Sequence, residues 1–123
     1  MNNNIKTSEI TIATSINPDS RIDIQKEAIE SWIKAGFRVV SLNETNEIKK
    51  LSNTFRNIDF VPQIRTAKAL FGKPYIYISD ILAYLKTQNS RISGIINSDI
   101  YFKNTESFSS FLIQEAENSL IYG

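Results

Sequence analysis

The chain is 123 residues long, 41% hydrophobic and 22% charged, with a net charge of +1. Those values suit one globular domain with a core of its own, and they lack the basic footprint of a nucleic-acid binder. With no cysteine and no histidine, a disulfide framework, a zinc–thiolate site, imidazole ligands and a Ser-His-Asp triad are all excluded, so chemistry falls to carboxylates, lysine, tyrosine, backbone amides or a hard metal ion.

The start, Met1-Asn2-Asn3-Asn4, lacks the basic and apolar regions of a signal peptide, and no apolar stretch nears membrane-spanning length, so the expected location is cytoplasmic. Residues 1–8 are polar and read as a flexible N-terminus. The β-branched run over 10–16 predicts a first strand that stops at the turn signal Asn17-Pro18. Ser20-Arg21-Ile22-Asp23 reads as a weak capping box. The helix it opens carries Ile24, Ala28, Ile29, Trp32 and Ile33 on one face and stops near Gly36. On that stripe Trp32 is packing rather than a ligand platform.

A second strand is expected over 38–43, then a helix from about Thr45 with Ile48, Leu51 and Phe55 on one stripe. A third, poorer strand over 59–64 contains Pro62, which argues for a sheet edge. Residues 65–74 read as irregular and hold Arg65, Lys68 and Lys73 with no acid among them. A helix over 75–88 places Ile78, Ile81, Leu82 and Leu85 inward. The fourth strand begins at Ile92 and ends in the polar knot Asn97-Ser98-Asp99. A helix over 107–118 follows, with Phe108, Phe111, Leu112 and Ala116 inward, and another apolar strand begins at 119–123. Strands alternating with helices imply right-handed crossovers and a mostly parallel sheet over a single α/β domain, residues 9–123.

A carboxylate at the end of a buried strand sits where open α/β sheets bind ligands, which makes Asp99 the first candidate; capping a turn is the plainer role for such a residue. Thr14, Ser15 and Asn17 stand at a comparable strand end, with turn and cap roles as the alternative. Lys73 is the best placed of the three loop cations, because Gly72 and Pro74 frame a tight turn around it. Asp80 is a weaker candidate that could simply favour a helix dipole. Tyr75 and Tyr77 read as packing and rim. Tyr101 and Phe102 could shape a ligand pocket or form the next core layer.

The order of elements together with Asn97-Ser98-Asp99 resembles the nucleotide-binding half of a GT-A-type glycosyltransferase, in the broad family 2-like group. The resemblance covers roughly residues 9–123. It implies a Rossmann-like three-layer α/β/α sandwich with strand order 3-2-1-4. It also implies a nucleoside diphosphate sugar as partner and a divalent cation, Mn2+ or Mg2+, as cofactor. Carried over, the loop Thr14-Ser15-Ile16-Asn17 would contact the nucleotide, and Asn43-Glu44 at the end of the second strand would lie near the base. Arg65, Lys68 and Lys73 would supply cationic contacts, and Asp99 would hold the metal with help from the Asn97 side-chain oxygen. The family's motif is Asp-x-Asp, and its first aspartate is Asn97 here. Such a site is chemically reasonable, since hard cations take oxygen ligands and bridge phosphate oxygens with few protein contacts. In glycosyl transfer the metal would act as a Lewis acid on the departing diphosphate.

The expected chain is truncated before the acceptor-binding half of that family, so little or no transferase activity is expected of it alone. A noncatalytic nucleotide-binding or protein-interaction module, completed by a partner segment or as a homodimer, is the alternative. A receiver-like domain shares the alternation, but it needs acids after the first strand, where this chain has Thr14-Ser15-Ile16-Asn17.

Overall fold

The computed structural model describes residues 10–103. The expected N-terminal tail over 1–8, the helix over 107–118 and the strand over 119–123 lie outside the described residues. The elements run β1 (Ile10–Thr14), α1 (Ile22–Lys34), β2 (Arg38–Asn43), α2 (Thr45–Leu51), β3 (Asp59–Pro62), α3 (Lys68–Phe71), α4 (Ile78–Lys86) and β4 (Ile92–Ile95). The four strands form one sheet in the order β3-β2-β1-β4, and every pairing is parallel. This is a Rossmann-like α/β fold, with the strand order that the family resemblance implied.

The two central strands are buried on both faces, which explains their continuous apolar, β-branched character. Side chains alternate across the sheet. Ile10, Ile12 and Val39 meet Ile29 and Trp32 of α1, together with Leu51 and Phe55. On the other face, Ala13, Val40 and Leu42 meet Ile81 and Leu85 of α4. Trp32 is wholly buried, as its place on the helical stripe predicts. Pro62 lies on the outer strand β3, where its missing N–H interrupts no ladder. Gly36, at φ 94°, follows α1 as a left-handed stop that no side-chain-bearing residue adopts cheaply.

Several local expectations change. Ser20 does not cap α1. The N-cap position is Arg21 in the left-handed region, with no side-chain cap bond. Ile24 is 47% exposed, because the buried stripe of α1 runs through Gln25, Ala28, Ile29 and Trp32. The segment over 65–74 contains one helical turn, α3, closed by Gly72 at φ 75°. The next helix starts at Ile78 rather than residue 75, after an extended Tyr77. Ile78 and Leu82 point outward, and Ile81 and Leu85 alone of the expected four are buried. Among the described residues no helix is long and apolar enough to cross a membrane.

Candidate functional site

β1 and β4 are neighbours, yet the chain leaves β1 toward β2 on one side and returns to β4 on the other. The loops beyond their carboxyl ends therefore part and leave a crevice, the topological switch point of an open parallel sheet. A cleft of about 510 Å3 lies there, within the size range of small-molecule sites. Part of its lining is apolar: Ile76, Ile78, Ile81, Ile95 and Ile96. The rest is polar. Thr14, Ser15 and Asn17 come from the loop after β1, Arg21 and Gln25 from the start of α1, and Asn97, Ser98 and Asp99 from the turn after β4.

Each part of the polar lining is held by neighbours in the fold. Asn17 accepts the Asp19 N–H at Oδ1, 2.8 Å away, an Asx turn with Pro18 at its centre. The Ile100 N–H donates to the Asn97 carbonyl at 3.2 Å, closing a four-residue turn that puts Ser98 and Asp99 at its apex. The chain beyond that turn is anchored on α1. Trp32 Nε1 donates to the Ile100 carbonyl at 2.7 Å, and the Phe102 N–H donates to Ser31 Oγ at 2.9 Å. The Phe102 ring stands edge-on to Phe37 at 5.7 Å, so Phe102 is a core layer and does not line the cleft.

Gln25 binds these parts together. Its amide nitrogen donates to the carbonyls of Asn17 and Ser20 at 2.8 and 2.9 Å. Its oxygen accepts the Asn17 N–H at 2.9 Å and the Ser98 hydroxyl at 2.5 Å. All four hydrogen-bonding positions of this buried amide are filled. Gln25 escaped the sequence reading, although one signal marks it: a polar residue three and four positions before Ala28 and Ile29, on the inward stripe.

The candidate residues divide. Thr14, Ser15, Asn17, Asn97 and Asp99 meet in the cleft. Asn43 does not line it. The Asn43 side chain is buried, donating to the Ile16 carbonyl and to Glu47 Oε1, both at 2.9 Å, and accepting the Ser41 hydroxyl at 2.6 Å. Lys73 is exposed just past Gly72, and neither it nor Lys68 lines the cleft. Arg65 is engaged by Asp80, with Nε and Nη2 at 3.0 and 3.2 Å from the carboxylate oxygens, and lies 4.4 Å from the centre of the Tyr77 ring. Asp80 raises the Arg65 pKa above its usual value through that hydrogen bond. The Tyr75 and Phe71 rings are 6.1 Å apart on the exposed side of this loop.

Asp99 lies at the rim, with Oδ2 3.5 Å from Arg21 Nη1. Among the described residues, no three acidic, histidine or cysteine side chains gather to hold a metal. The donors in the cleft are one carboxylate, the Asn97 amide oxygen and hydroxyls. Such a set fits Mg2+ or Mn2+ only where phosphate oxygens and water complete the shell, a common arrangement for Mg2+ on phosphate substrates.

Fold and cleft together define a Rossmann-like α/β domain with an amphipathic crevice at its switch point. The chain matches no protein-family model, no curated protein and no solved structure.

Proposed function

We propose that the chain is a cytoplasmic nucleoside-diphosphate-sugar-binding domain, the donor half of a GT-A-type glycosyltransferase. The observation that carries the reading is the convergence of Thr14-Ser15-Ile16-Asn17 and Asn97-Ser98-Asp99 on one cleft between adjacent parallel strands. The two parts of the lining suit the two ends of such a ligand. The isoleucine side chains offer apolar surface for a base, and the polar lining offers amide and hydroxyl groups for ribose and phosphates. Asp99, with Asn97, would hold a divalent cation against the diphosphate. That cation, when bound, offsets charge on the leaving diphosphate. The chain's own residues orient the donor: Gln25 holds both polar loops, and Trp32 fixes the segment after Asp99.

Calorimetric titration with UDP and GDP, with and without Mn2+, tests the reading. An enhancement of binding by Mn2+ that is lost in Asp99→Asn supports it. No binding of either nucleotide under any condition overturns it.

A second reading is favoured by the exposed apolar side chains Ile64, Leu70, Phe71, Tyr75, Ile78 and Leu82, which all fall within one stretch of the chain. On that reading the module binds nucleotide without turnover and is completed by an acceptor-binding segment or by a second copy. Binding without sugar transfer, combined with a dimer mass in solution, would favour it.

A further inference from the structure

Arg21 and Asp99 are the two charged residues lining the cleft among the described residues. They face each other at 3.5 Å, with side chains 61% and 41% exposed. An ion pair this exposed is weak, because water and salt screen it. A cation held by so weak a contact is free to move to a better anion.

The backbone at Arg21 adds a second observation. Its φ of 55° makes it the sole non-glycine residue at positive φ among the described residues. That region is costly for a residue with a Cβ and is easy for glycine. The conformation is held from both sides. The Gln25 amide donates to the Ser20 carbonyl at 2.9 Å, and the Gln25 N–H donates to the Arg21 carbonyl at 3.0 Å. The strained backbone thus carries an arginine side chain to the cleft mouth, opposite the turn after β4. A guanidinium presents paired donors in a plane, which matches two oxygens of a phosphate better than one carboxylate oxygen at 3.5 Å.

We infer that Arg21 is the diphosphate-binding cation of the cleft, resting on Asp99 and passing to the ligand's phosphates when a nucleotide binds. This rests on the reading that the cleft takes a nucleoside diphosphate. The exchange has a second consequence. Once Arg21 leaves it, the Asp99 carboxylate faces the phosphates, and like charges repel unless a cation stands between them. Asp99 therefore opposes metal-free binding in two ways, by competing for Arg21 and by repelling the ligand.

The test is titration of the full chain with UDP and GDP, using uridine and guanosine as phosphate-free controls, each with and without Mn2+. Arg21→Gln should weaken the binding of whichever diphosphate binds by about tenfold or more, with the matching nucleoside unaffected. Arg21→Gly relieves the backbone while removing the guanidinium. It should lose the same affinity with unchanged or higher resistance to thermal unfolding, which separates lost recognition from lost folding. Asp99→Asn should bind the diphosphate several-fold more tightly than the parent chain without metal, and should lose the enhancement by Mn2+. Full diphosphate affinity in both Arg21 variants, or weaker metal-free binding in Asp99→Asn, overturns the inference and leaves the nucleotide reading standing. If the parent chain binds none of the four probes, the nucleotide reading fails and the inference fails with it.

Discussion

Asn43 at the end of β2 reaches across to the loop after β1, donating from Nδ2 to the Ile16 carbonyl at 2.9 Å. Ile16 is held at its other backbone group too, because its N–H donates to Ser41 Oγ at 3.1 Å. Two side chains of one strand thereby fix the backbone that starts the cleft's polar lining. Ser41 and Asn43 are both fully buried, so their hydrogen bonds have no water to replace them.

Asn43→Ala should therefore act on folding first. It leaves the Ile16 carbonyl, the Ser41 hydroxyl and Glu47 short of a partner. An expected loss of about 1–3 kcal/mol should appear as a lower urea midpoint with an unchanged m-value. Nucleotide affinity should then fall through loosening of the loop rather than through a lost ligand contact. At temperatures well below the unfolding transition the effect on affinity should be small. A large loss of affinity with stability intact would mean that Asn43 touches the ligand.

Gln25 joins three chain segments through four hydrogen bonds. Gln25→Ala removes them all; the freed backbone groups belong to the exposed residues Asn17 and Ser20 and can turn to water, so the expected cost is about 1–2 kcal/mol in chemical unfolding. Gln25→Glu discriminates further. A carboxylate can still accept from Asn17 and Ser98 but cannot donate to the two carbonyls, and it places a negative charge beside the cleft. It should weaken diphosphate binding more than nucleoside binding, as read by calorimetry.

These two residues also mark how far the fold could be read from the chain. The runs at Ile10, Arg38 and Ile92 are β-branched and apolar because each strand packs on two faces, and that pattern is local and visible. The parallel sheet followed from the alternation of elements, whereas the order β3-β2-β1-β4 came with the family resemblance. The inward stripe of α1 is legible at Ala28, Ile29 and Trp32 but not at its first position, because Gln25, buried for its hydrogen bonds, reads as polar, and Ile24 beside it reads as core. Ile78 and Leu82 are apolar and exposed, which no helical periodicity distinguishes from buried. Asn43 is placed near a ligand by the family resemblance, and Lys73 by that resemblance and the turn residues Gly72 and Pro74 around it. Whether a side chain faces the cleft is decided by partners tens of residues away, such as Ile16 for Asn43. The left-handed backbone at Arg21 leaves no mark in residue identity at all.

Glu47 carries a pH dependence. Burial raises its pKa above the ordinary value of 4.5, against the hydrogen bond from Asn43, which lowers it. A carboxyl with a raised folded pKa binds its proton more tightly when folded than when unfolded. Its favourable contribution is therefore complete below about 4.5 and is lost as pH rises through the folded value. Glu47→Gln keeps an oxygen to accept from Asn43 Nδ2 and removes the desolvated charge. It should be neutral near pH 4 and stabilising at pH 7, by about 0.5 kcal/mol given the partial exposure of the group. Urea unfolding at the two pH values reads the difference, and an equal effect at both would contradict it.

Arg65, Lys68 and Lys73 test whether the loop after β3 belongs to the site. Arg65 is paired with Asp80 on the surface, and the carboxylate strengthens the hold of the guanidinium on its proton. Asp80→Asn should cost less than about 1 kcal/mol, because the arginine remains solvated and keeps the Tyr77 ring beneath it. Lys68→Ala and Lys73→Ala should be neutral in stability, since both side chains are exposed. None of the three lines the cleft, so none should change UDP or GDP affinity at 0.15 M salt, where exposed charges are strongly screened. An effect that appears at low salt and vanishes at 0.15 M would be long-range attraction between the loop and the phosphates. A loss that persists at 0.15 M would require the loop to close over the ligand, adding a lysine to the single cation, Arg21, that lines the cleft among the described residues.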